Sequence, residues 1–206
     1  MDSSYWDAKF DTDDYIYTTV VNRFVKEYCE PLIAKQPHGK MIDLAGGEGR
    51  NSVWFSEQGW QSENIDWSKK ALSKSLKLAE ERGVAALHFA HIADATGFES
   101  VLTPVDIGLV AYLQVPQQDL ADALDTLVEN VRKGGHILGV WHALENLADG
   151  YGGPRDASVL PSVQSLSEIC AHLPLEIEVL TNRDGQVQTK DGLKPSVTVV
   201  LLAKKL

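Results

Sequence analysis

The sequence predicts an α/β fold: a doubly wound, mostly parallel sheet of seven strands that ends in an antiparallel strand pair. Between residues 40 and 143, short apolar segments alternate with segments whose apolar residues follow a helical period. This alternation is typical of a parallel sheet with helices on both faces. Near the C-terminus, two strand-like segments follow each other with turn residues between them, which predicts the antiparallel pair.

Turn residues and caps set the bounds of each element. Pro37 to Gly39 ends the first helix, Ser68 caps the helix after the second strand, and Pro116 ends the fourth strand. Residues 1–20 fit neither a strand nor a long amphipathic helix, so we expect an arm there. The expected elements, in order, are a helix at 22–35, a strand at 40–45, a helix at 50–58, a strand at 60–66, a helix at 68–82, strands at 85–94 and 105–115, a helix at 117–133, a strand at 136–143, a helix at 165–173 and strands at 175–183 and 196–205.

Composition narrows the class of protein and its partners. The 206 residues are 44% hydrophobic and contain neither an apolar run long enough to span a membrane nor an apolar signal segment, so we expect a cytoplasmic protein. A net charge of -10 argues against a nucleic-acid partner, since binding a phosphate backbone normally needs clustered Lys and Arg. Cys29 and Cys170 lack metal-like spacing, so we expect reduced thiols and no metal site.

The strongest chemical signal is the segment MIDLAGGEGRN at residues 41–51. A strand that ends in a glycine-rich turn and opens a helix presents free backbone N–H groups to a ligand. A dinucleotide fingerprint lacks its last glycine here because Ser52 stands in that place, and no phosphate-loop Gly-Lys-Ser/Thr sequence follows. Asp43 instead favours a ligand that carries positive charge, and S-adenosylmethionine has both an ammonium and a sulfonium.

Acidic residues also stand at the ends of the next two strands. Asp66 ends the second strand, where a carboxylate can accept both ribose hydroxyls, and Asp94 ends the third, where it can accept the adenine amino group. Trp67 is placed to pack on the adenine face. Each Asp taken alone is more often a turn residue or a helix cap, but three on one rim favour a ligand site.

The chain resembles the class I S-adenosylmethionine-dependent methyltransferases, whose Rossmann-like fold matches residues 40–206 in order. The first motif of that family, an acid followed by x-G-x-G-x-G, here reads Asp43, Ala45, Gly47 and Gly49. Ala45 replaces the first glycine, so we expect Ala45 to need no positive φ. A narrower resemblance is to the small bacterial tellurite-resistance and thiopurine methyltransferases, carried by YWDAKF, DLAGGEGRN, VAYLQVP and GYGGPRD.

The resemblance implies a role for each residue along the rim. Asp43 and the Ala45 backbone would face the methionine end of the cofactor, Asp66 the ribose, and Asp94 with Ala95 the adenine. Arg50 opens a helix, where a cation opposes the helix dipole, so it is a candidate to contact a carboxylate of cofactor or substrate, or to form a surface ion pair. The full set of expected cofactor-binding residues is Asp43, Ala45, Gly47, Gly49, Arg50, Asp66, Trp67, Asp94, Ala95 and Ala111.

The end of the fourth strand faces the transferred methyl group in this fold. The sequence Ala111 to Gln114 replaces the [DNS]-P-P-[YF] motif of enzymes that methylate amino groups of bases or glutamine, which argues against those substrates. Tyr112 is a candidate to line the methyl channel and Gln114 to orient an acceptor. His142 is the candidate general base because its ordinary pKa lies near neutrality, although a histidine bonded within a loop is an equal alternative.

We therefore expect a methyltransferase that uses S-adenosylmethionine and acts on a small molecule: a thiol, a chalcogen oxyanion or a small metabolite. The alternatives are a non-catalytic S-adenosylmethionine-binding protein and, third, an NAD-dependent oxidoreductase. One domain is expected over residues 1–206. Its expected parts are an N-terminal arm and helix at 1–36, a cofactor-binding core at 37–143, a substrate-side loop at 144–162, and the last helix with the antiparallel strands at 163–206.

Overall fold

The computed structural model describes residues 3–206. The helices are α1 (Ser3–Phe10), α2 (Arg23–Lys35), α3 (Arg50–Glu57), α4 (Lys69–Glu81), α5 (Gln117–Asn130), α6 (Asn146–Asp149) and α7 (Val163–Cys170). The strands are β1 (Lys40–Leu44), β2 (Gln61–Asp66), β3 (His88–Ile92), β4 (Val105–Ala111), β5 (Val131–His142), β6 (Leu175–Thr189) and β7 (Gly192–Lys205).

All seven strands form one sheet in the order β3-β2-β1-β4-β5-β7-β6. The first five pair in parallel, whereas β7 is antiparallel to both of its neighbours. Parallel neighbours need a crossover between them, and α3, α4 and α5 supply these crossovers. The predicted fold class is confirmed, including the C-terminal antiparallel pair.

Apolar side chains cover both faces of the sheet. On one face, α2 and α3 pack with Phe24, Phe55 and Trp60 against β1, β4 and β5. On the other, α5 and α7 pack with Leu124 and Leu166 in a second cluster. Burial of this kind stabilises the fold by about 25 cal/mol per Å² of apolar surface. The two layers fix the upper edge of the sheet, where β1, β2 and β4 end.

The arm and the α5–β5 junction differ from expectation. Residues 3–10 form a helix, α1, where the sequence pattern predicted only an arm. Helix α5 ends at Asn130 rather than at 133, and β5 begins at once. The side chain of Asn130 accepts a hydrogen bond from the Thr103 hydroxyl at 2.5 Å and from the Ser100 amide at 3.4 Å, so contacts distant in sequence end this helix.

The antiparallel strands are longer than expected because the chain reverses at Lys190 and Asp191. Asp184 and Gly185, which the sequence marks as turn residues, pair with Val197 and Ser196 inside the ladder. The hairpin therefore extends beyond the end of β5, which pairs with β7 only as far as Thr198. Its tip stands beside the loop that follows β5.

Two further expectations concern membranes and cysteines. None of the helices within residues 3–206 is long and apolar enough to cross a membrane. Cys29 and Cys170 are both free and buried, as expected for reduced thiols.

Candidate functional site

The glycine turn lies between β1 and α3 at the upper edge of the sheet. Gly47 and Gly49 have φ angles of 56° and 83°, and Ala45 has a φ of 54°. The expectation that Ala45 needs no positive φ is therefore wrong, because this alanine occupies the left-handed conformation. Such a conformation costs a residue with a Cβ atom about 1–2 kcal/mol.

The three glycines of the turn serve different purposes. A Cβ atom built at Gly46 would lie 2.3 Å from the Asn64 amide oxygen, and one at Gly49 would lie 2.0 Å from Ser75 Oγ. These two positions are closed by packing. A Cβ atom at Gly47 would meet only Phe10, at 3.6 Å, so this part of the backbone is open to a ligand and faces the arm.

Asp43 is a fully buried carboxylate behind the turn. Its Oδ2 accepts a hydrogen bond from the Ser52 amide at 3.2 Å, whereas its Oδ1 has no partner within the described part of the chain. Burial raises the pKa of Asp43 to about 7, although the Ser52 amide and the nearby Arg50 guanidinium oppose that rise. A positive charge bound at the turn would stabilise the ionised carboxylate.

Asp66 ends β2 with 8% of its surface exposed. Its Oδ2 accepts a hydrogen bond from the Gly47 amide at 3.0 Å, and its Oδ1 accepts one from the Ser68 amide at 2.8 Å. Burial raises the pKa of Asp66, while these amides lower it. The residue thus joins the glycine turn to the start of α4, and each oxygen keeps a second lone pair for a ligand hydroxyl.

The remaining expected cofactor residues line the same edge. Asp66 pairs with Ile92, and the Ala93 amide donates to the Asp66 carbonyl at 3.2 Å, so Asp94 follows on the same rim. Asp94 is exposed and accepts hydrogen bonds from the Thr96 amide and hydroxyl. Trp67 is half-buried, Ala95 packs against the core, and Ala111 ends β4.

Tyr112 directly follows β4 and adopts a φ of 63°, which is unusual for an aromatic residue. Its hydroxyl accepts a hydrogen bond from Asn22 Nδ2 at 3.1 Å, and its ring lies 5.0 Å from the His142 ring. The Arg50 guanidinium lies 5.6 Å from the Tyr112 ring. Strained backbone of this kind is found at ligand sites, where surrounding contacts hold it in place.

Arg50 has no ion pair or hydrogen bond among residues 3–206, which argues against the surface ion pair that the sequence left open. Its charge acts on Asp43, whose pKa it lowers. An unpaired guanidinium at the start of a helix is available to an anionic group of a ligand.

His142 ends β5 beside Tyr112. Its Nδ1 is buried without a hydrogen-bond partner in the described chain, and burial lowers its pKa. The imidazole is therefore neutral at pH 7, the form that a general base needs. Gly153 packs directly on the ring, because a Cβ atom there would lie 2.6 Å from Cδ2.

Gln114 holds the loop that follows β5. Its Oε1 accepts a hydrogen bond from the His142 amide at 2.8 Å, and its Nε2 donates to the Val159 carbonyl at 2.7 Å. Both ends of the amide are engaged within the chain. These two hydrogen bonds join Gln114 to His142 and to the 144–162 loop, and its contact with an acceptor stays a prediction.

Sequence reasoning missed the contacts that dock the arm on the turn. The side chain of Glu48, in the turn, is 6% exposed and lies 3.0 Å from Lys74 Nζ of α4. Its carboxylate also accepts hydrogen bonds from the Ile16 and Tyr17 amides at 3.0 Å. Lys74 donates to the Asp14 carbonyl at 2.6 Å. The sequence shows an acid at 48 and a base at 74, but their spacing alone does not indicate that they form a pair.

Aromatic residues of the arm pack against one another, and Phe10 among them faces Gly47 of the turn. Trp6 stacks on Phe10 with centroids 5.7 Å apart, and Phe10 meets Tyr17 edge to face at 6.4 Å. Asp7 accepts a hydrogen bond from the Ser68 hydroxyl at 2.7 Å, which ties α1 to the start of α4. No group of three or more His, Cys, Asp or Glu side chains within residues 3–206 is placed to hold a metal ion.

Comparisons with known proteins place this geometry in context. No family model matches the sequence. The tRNA 5-carboxymethoxyuridine methyltransferase of Escherichia coli K12 is 30% identical over 97 residues, which are 47% of this chain and 37% of that protein. This chain thus matches little more than a third of the length of that curated relative.

Solved structures match over nearly the whole chain. TehB from Haemophilus influenzae aligns with a TM-score of 0.72 at 16% identity, covering 99% of this chain and 67% of that one. Magnesium protoporphyrin IX methyltransferase from Synechocystis PCC 6803, solved with bound S-adenosylhomocysteine, aligns at 0.68 and 13% identity, covering 98% and 94%. A structure described under the conversion of a disulfide bond into a thioacetal group in echinomycin biosynthesis aligns at 0.79 and 15% identity, covering 98% and 91%.

The chain shares the fold of these three solved structures, one of which is a methyltransferase. At identities of 13–16% the likeness extends to the fold and to no particular reaction or substrate.

Proposed function

We propose that this protein is an S-adenosylmethionine-dependent methyltransferase that acts on a small-molecule acceptor. The observation that carries the proposal is the glycine turn: Gly47 is open to a ligand, the buried carboxylate of Asp43 lies behind it, and Asp66 stands at its side. Its occurrence in a methyltransferase fold supports this choice over a nicotinamide cofactor, since the turn also lacks the third glycine of a dinucleotide fingerprint.

The residues present fit this cofactor. Asp43 has an unpartnered buried oxygen and a raised pKa, so its ionised form gains from a neighbouring ammonium or sulfonium. Asp66 would accept hydrogen bonds from the ribose hydroxyls. The adenine would lie against Trp67, Asp94 and Ala95. Arg50 would bind the methionine carboxylate, since its guanidinium contacts the Tyr112 ring but has no ion pair or hydrogen bond within the described residues.

When bound, S-adenosylmethionine supplies a methyl group already activated by a sulfonium. The protein then has to orient the acceptor and exclude water, and orientation of this kind can lower a barrier by about 7–11 kcal/mol in favourable cases. Tyr112 would line the methyl channel beside Ala111. His142 would accept a proton from an acceptor that is protonated at neutral pH, because its lowered pKa keeps the imidazole neutral.

Charge favours a small acceptor over RNA. The chain carries a net charge of -10, whereas proteins that bind a phosphate backbone use clustered cations. The curated relative named for tRNA matches under half of this chain. We therefore include tRNA among the acceptors to be tested but do not expect it to be methylated. We place the chain beside the tellurite-resistance and thiopurine methyltransferases, in keeping with the strings YWDAKF and GYGGPRD.

Methyl transfer can be measured directly with methyl-labelled S-adenosylmethionine. The acceptor panel comprises aromatic and aliphatic thiols, tellurite and selenite, small hydroxylated metabolites, and unmodified tRNA. We expect label in a thiol, chalcogen or metabolite product and none in tRNA, and we expect His142→Gln to lower turnover of hydroxyl acceptors most. Tight cofactor binding without transfer to any acceptor would favour a non-catalytic binding protein, and label in tRNA would overturn the small-molecule assignment.

A further inference from the structure

A chain of buried polar side chains runs behind the glycine turn and reaches its backbone. Ser62, Asn64 and Asp66 alternate along β2 and point to the same face of the sheet, where apolar residues usually pack. All three are buried. A row of buried polar residues on a central strand requires partners, because burying each one unpaired costs free energy.

The hydrogen bonds of this chain form one continuous path. Asn64 Nδ2 donates to the Gly47 carbonyl and to Ser75 Oγ, both at 2.9 Å. Ser75 Oγ lies 2.7 Å from His88 Nε2, and His88 Nδ1 lies 2.8 Å from Ser62 Oγ. The path ends at Ser56, whose hydroxyl lies 2.8 Å from that of Ser62.

One tautomer of His88 gives every donor on this path an acceptor. Ser75 accepts from Asn64, so its own proton goes to His88 Nε2, its remaining polar contact on this path. His88 therefore carries its proton on Nδ1 and donates to Ser62. Burial lowers the pKa of His88 to about 4, so the ring stays neutral at physiological pH and this arrangement persists.

The path determines how Asn64 meets the turn. With both amide hydrogens committed to Gly47 and Ser75, the amide oxygen of Asn64 faces Gly46, where a Cβ atom would lie 2.3 Å away. Gly47 is then held on both sides, its carbonyl by Asn64 and its amide by Asp66. The two peptide groups that flank Gly47 are thus oriented by two residues of β2.

We propose that Asn64, Ser75 and His88 are positioning residues that hold the glycine turn in its cofactor-binding conformation. The part of this inference that concerns cofactor affinity rests on the proposed function. None of the three needs to touch the cofactor. His88 acts through Ser75, Ser75 acts through Asn64 and through its packing against Gly49, and Asn64 acts through the Gly47 carbonyl.

The test compares Ser75→Ala and His88→Leu with His91→Leu. His91 lies on the same strand as His88, and its partly exposed side chain pairs with the buried Glu63 at 3.0 Å, so its variant controls for loss of a histidine hydrogen bond that is not part of this path. Three quantities are measured: the melting temperature, the Kd for S-adenosylhomocysteine by calorimetry, and hydrogen exchange of the Gly47 amide.

We expect Ser75→Ala and His88→Leu to weaken S-adenosylhomocysteine binding by about tenfold and to speed exchange at Gly47, as for loss of one buried hydrogen bond. His91→Leu should bind within about twofold of wild type, whatever its melting temperature. His88→Gln keeps an acceptor for Ser75 and should recover most of the affinity.

Folded Ser75→Ala protein that binds within about twofold of wild type, with unchanged Gly47 exchange, would overturn the inference. If His88→Leu does not fold, the measurements on Ser75→Ala and His88→Gln decide whether the inference holds. If wild-type protein binds no S-adenosylhomocysteine, the proposed function fails, and Gly47 exchange in Ser75→Ala still decides whether this path holds the turn.

Discussion

Asp43 couples ligand charge to a proton. Its carboxylate is fully buried with a pKa of about 7, so near neutral pH the protein holds it partly protonated. A cationic ligand at the turn favours the ionised form, and we therefore expect S-adenosylmethionine binding near pH 7 to release a fraction of a proton. Calorimetry in buffers of different ionisation enthalpy measures this proton. Asp43→Asn should bind without the release, and equal release in both proteins would contradict this role.

The same carboxyl affects stability in the absence of ligand. A folded-state pKa raised above the ordinary value of 3.8 means that the folded protein binds this proton more tightly than the unfolded chain. The stabilising contribution is thus present below about pH 4 and is lost as pH rises through about 7. We expect the difference in melting temperature between wild type and Asp43→Asn to change over this window. A constant difference would show that the carboxyl does not titrate there.

Substitutions at Ala45 and Gly49, two positions with left-handed backbone, should change the free energy of unfolding in opposite directions. Ala45→Gly relieves a φ of 54° and should raise the free energy of unfolding by about 0.5–1 kcal/mol, after allowing for the greater freedom of glycine in the unfolded chain. Gly49→Ala adds a Cβ atom 2.0 Å from Ser75 Oγ at a φ of 83° and should lower it by more than about 2 kcal/mol. Chemical denaturation compares both, and a destabilised Ala45→Gly protein would contradict the reading of Ala45 as strained.

The arm docks in part on a buried ion pair between Glu48 of the turn and Lys74 of α4. Lys74→Met removes the cation that Glu48 faces and two further donor contacts to residues 12 and 14. Leaving a buried charge unpaired costs about 3–5 kcal/mol, so we expect the arm to detach and the Kd for S-adenosylmethionine to rise by about tenfold or more. Limited trypsin cleavage after Lys9 reports the detachment.

Lys35→Met on α2 is the matched control for the arm, because this exposed lysine has no contact with it. Its cleavage pattern and cofactor affinity should match those of wild type. Unchanged cleavage after Lys9 in Lys74→Met would mean that aromatic packing alone holds α1 on the turn.

The loop after β5 is held by the β6–β7 hairpin. Asn146, 1% exposed, donates to the Tyr151 and Gly152 carbonyls and accepts from the Val197 amide at 2.7 Å. Asn146→Ala should loosen this loop, which packs on His142 through Gly153. We expect the KM for the acceptor to rise while the Kd for S-adenosylhomocysteine stays unchanged. A parallel loss of cofactor affinity would show that the loop belongs to the cofactor site.

For the molecule as a whole, local sequence patterns predicted the sheet. The features that they did not predict depend on contacts between residues distant in sequence. Strand alternation predicted the order of elements and brought Asp43, Asp66 and Asp94 to one edge, because parallel strands end together. The end of α5 and the docking of the arm depend on Asn130 and on Glu48 with Lys74, whose partners lie tens of residues away. The spacing of residues within one segment does not predict such pairs.

The left-handed Ala45 was missed for a different reason. Alanine disfavours positive φ in isolation, so the residue type at 45 predicts the opposite conformation. In the structure, Ala45 lies in a turn whose Gly46 and Gly49 have no room for a Cβ atom. Likewise the polar alternation of Ser62, Asn64 and Asp66 was visible in the sequence, but its partners Ser75 and His88 become evident only when α4 and β3 pack beside β2.

Calorimetric titration with S-adenosylhomocysteine tests the central claim most directly, with wild-type protein, Asp66→Ala and NADH as a competitor. We predict one site per chain in wild type, no displacement by NADH, and binding lost in Asp66→Ala while its melting transition is kept. Absence of S-adenosylhomocysteine binding to folded wild-type protein, or displacement by NADH, would contradict the assignment of this turn to S-adenosylmethionine.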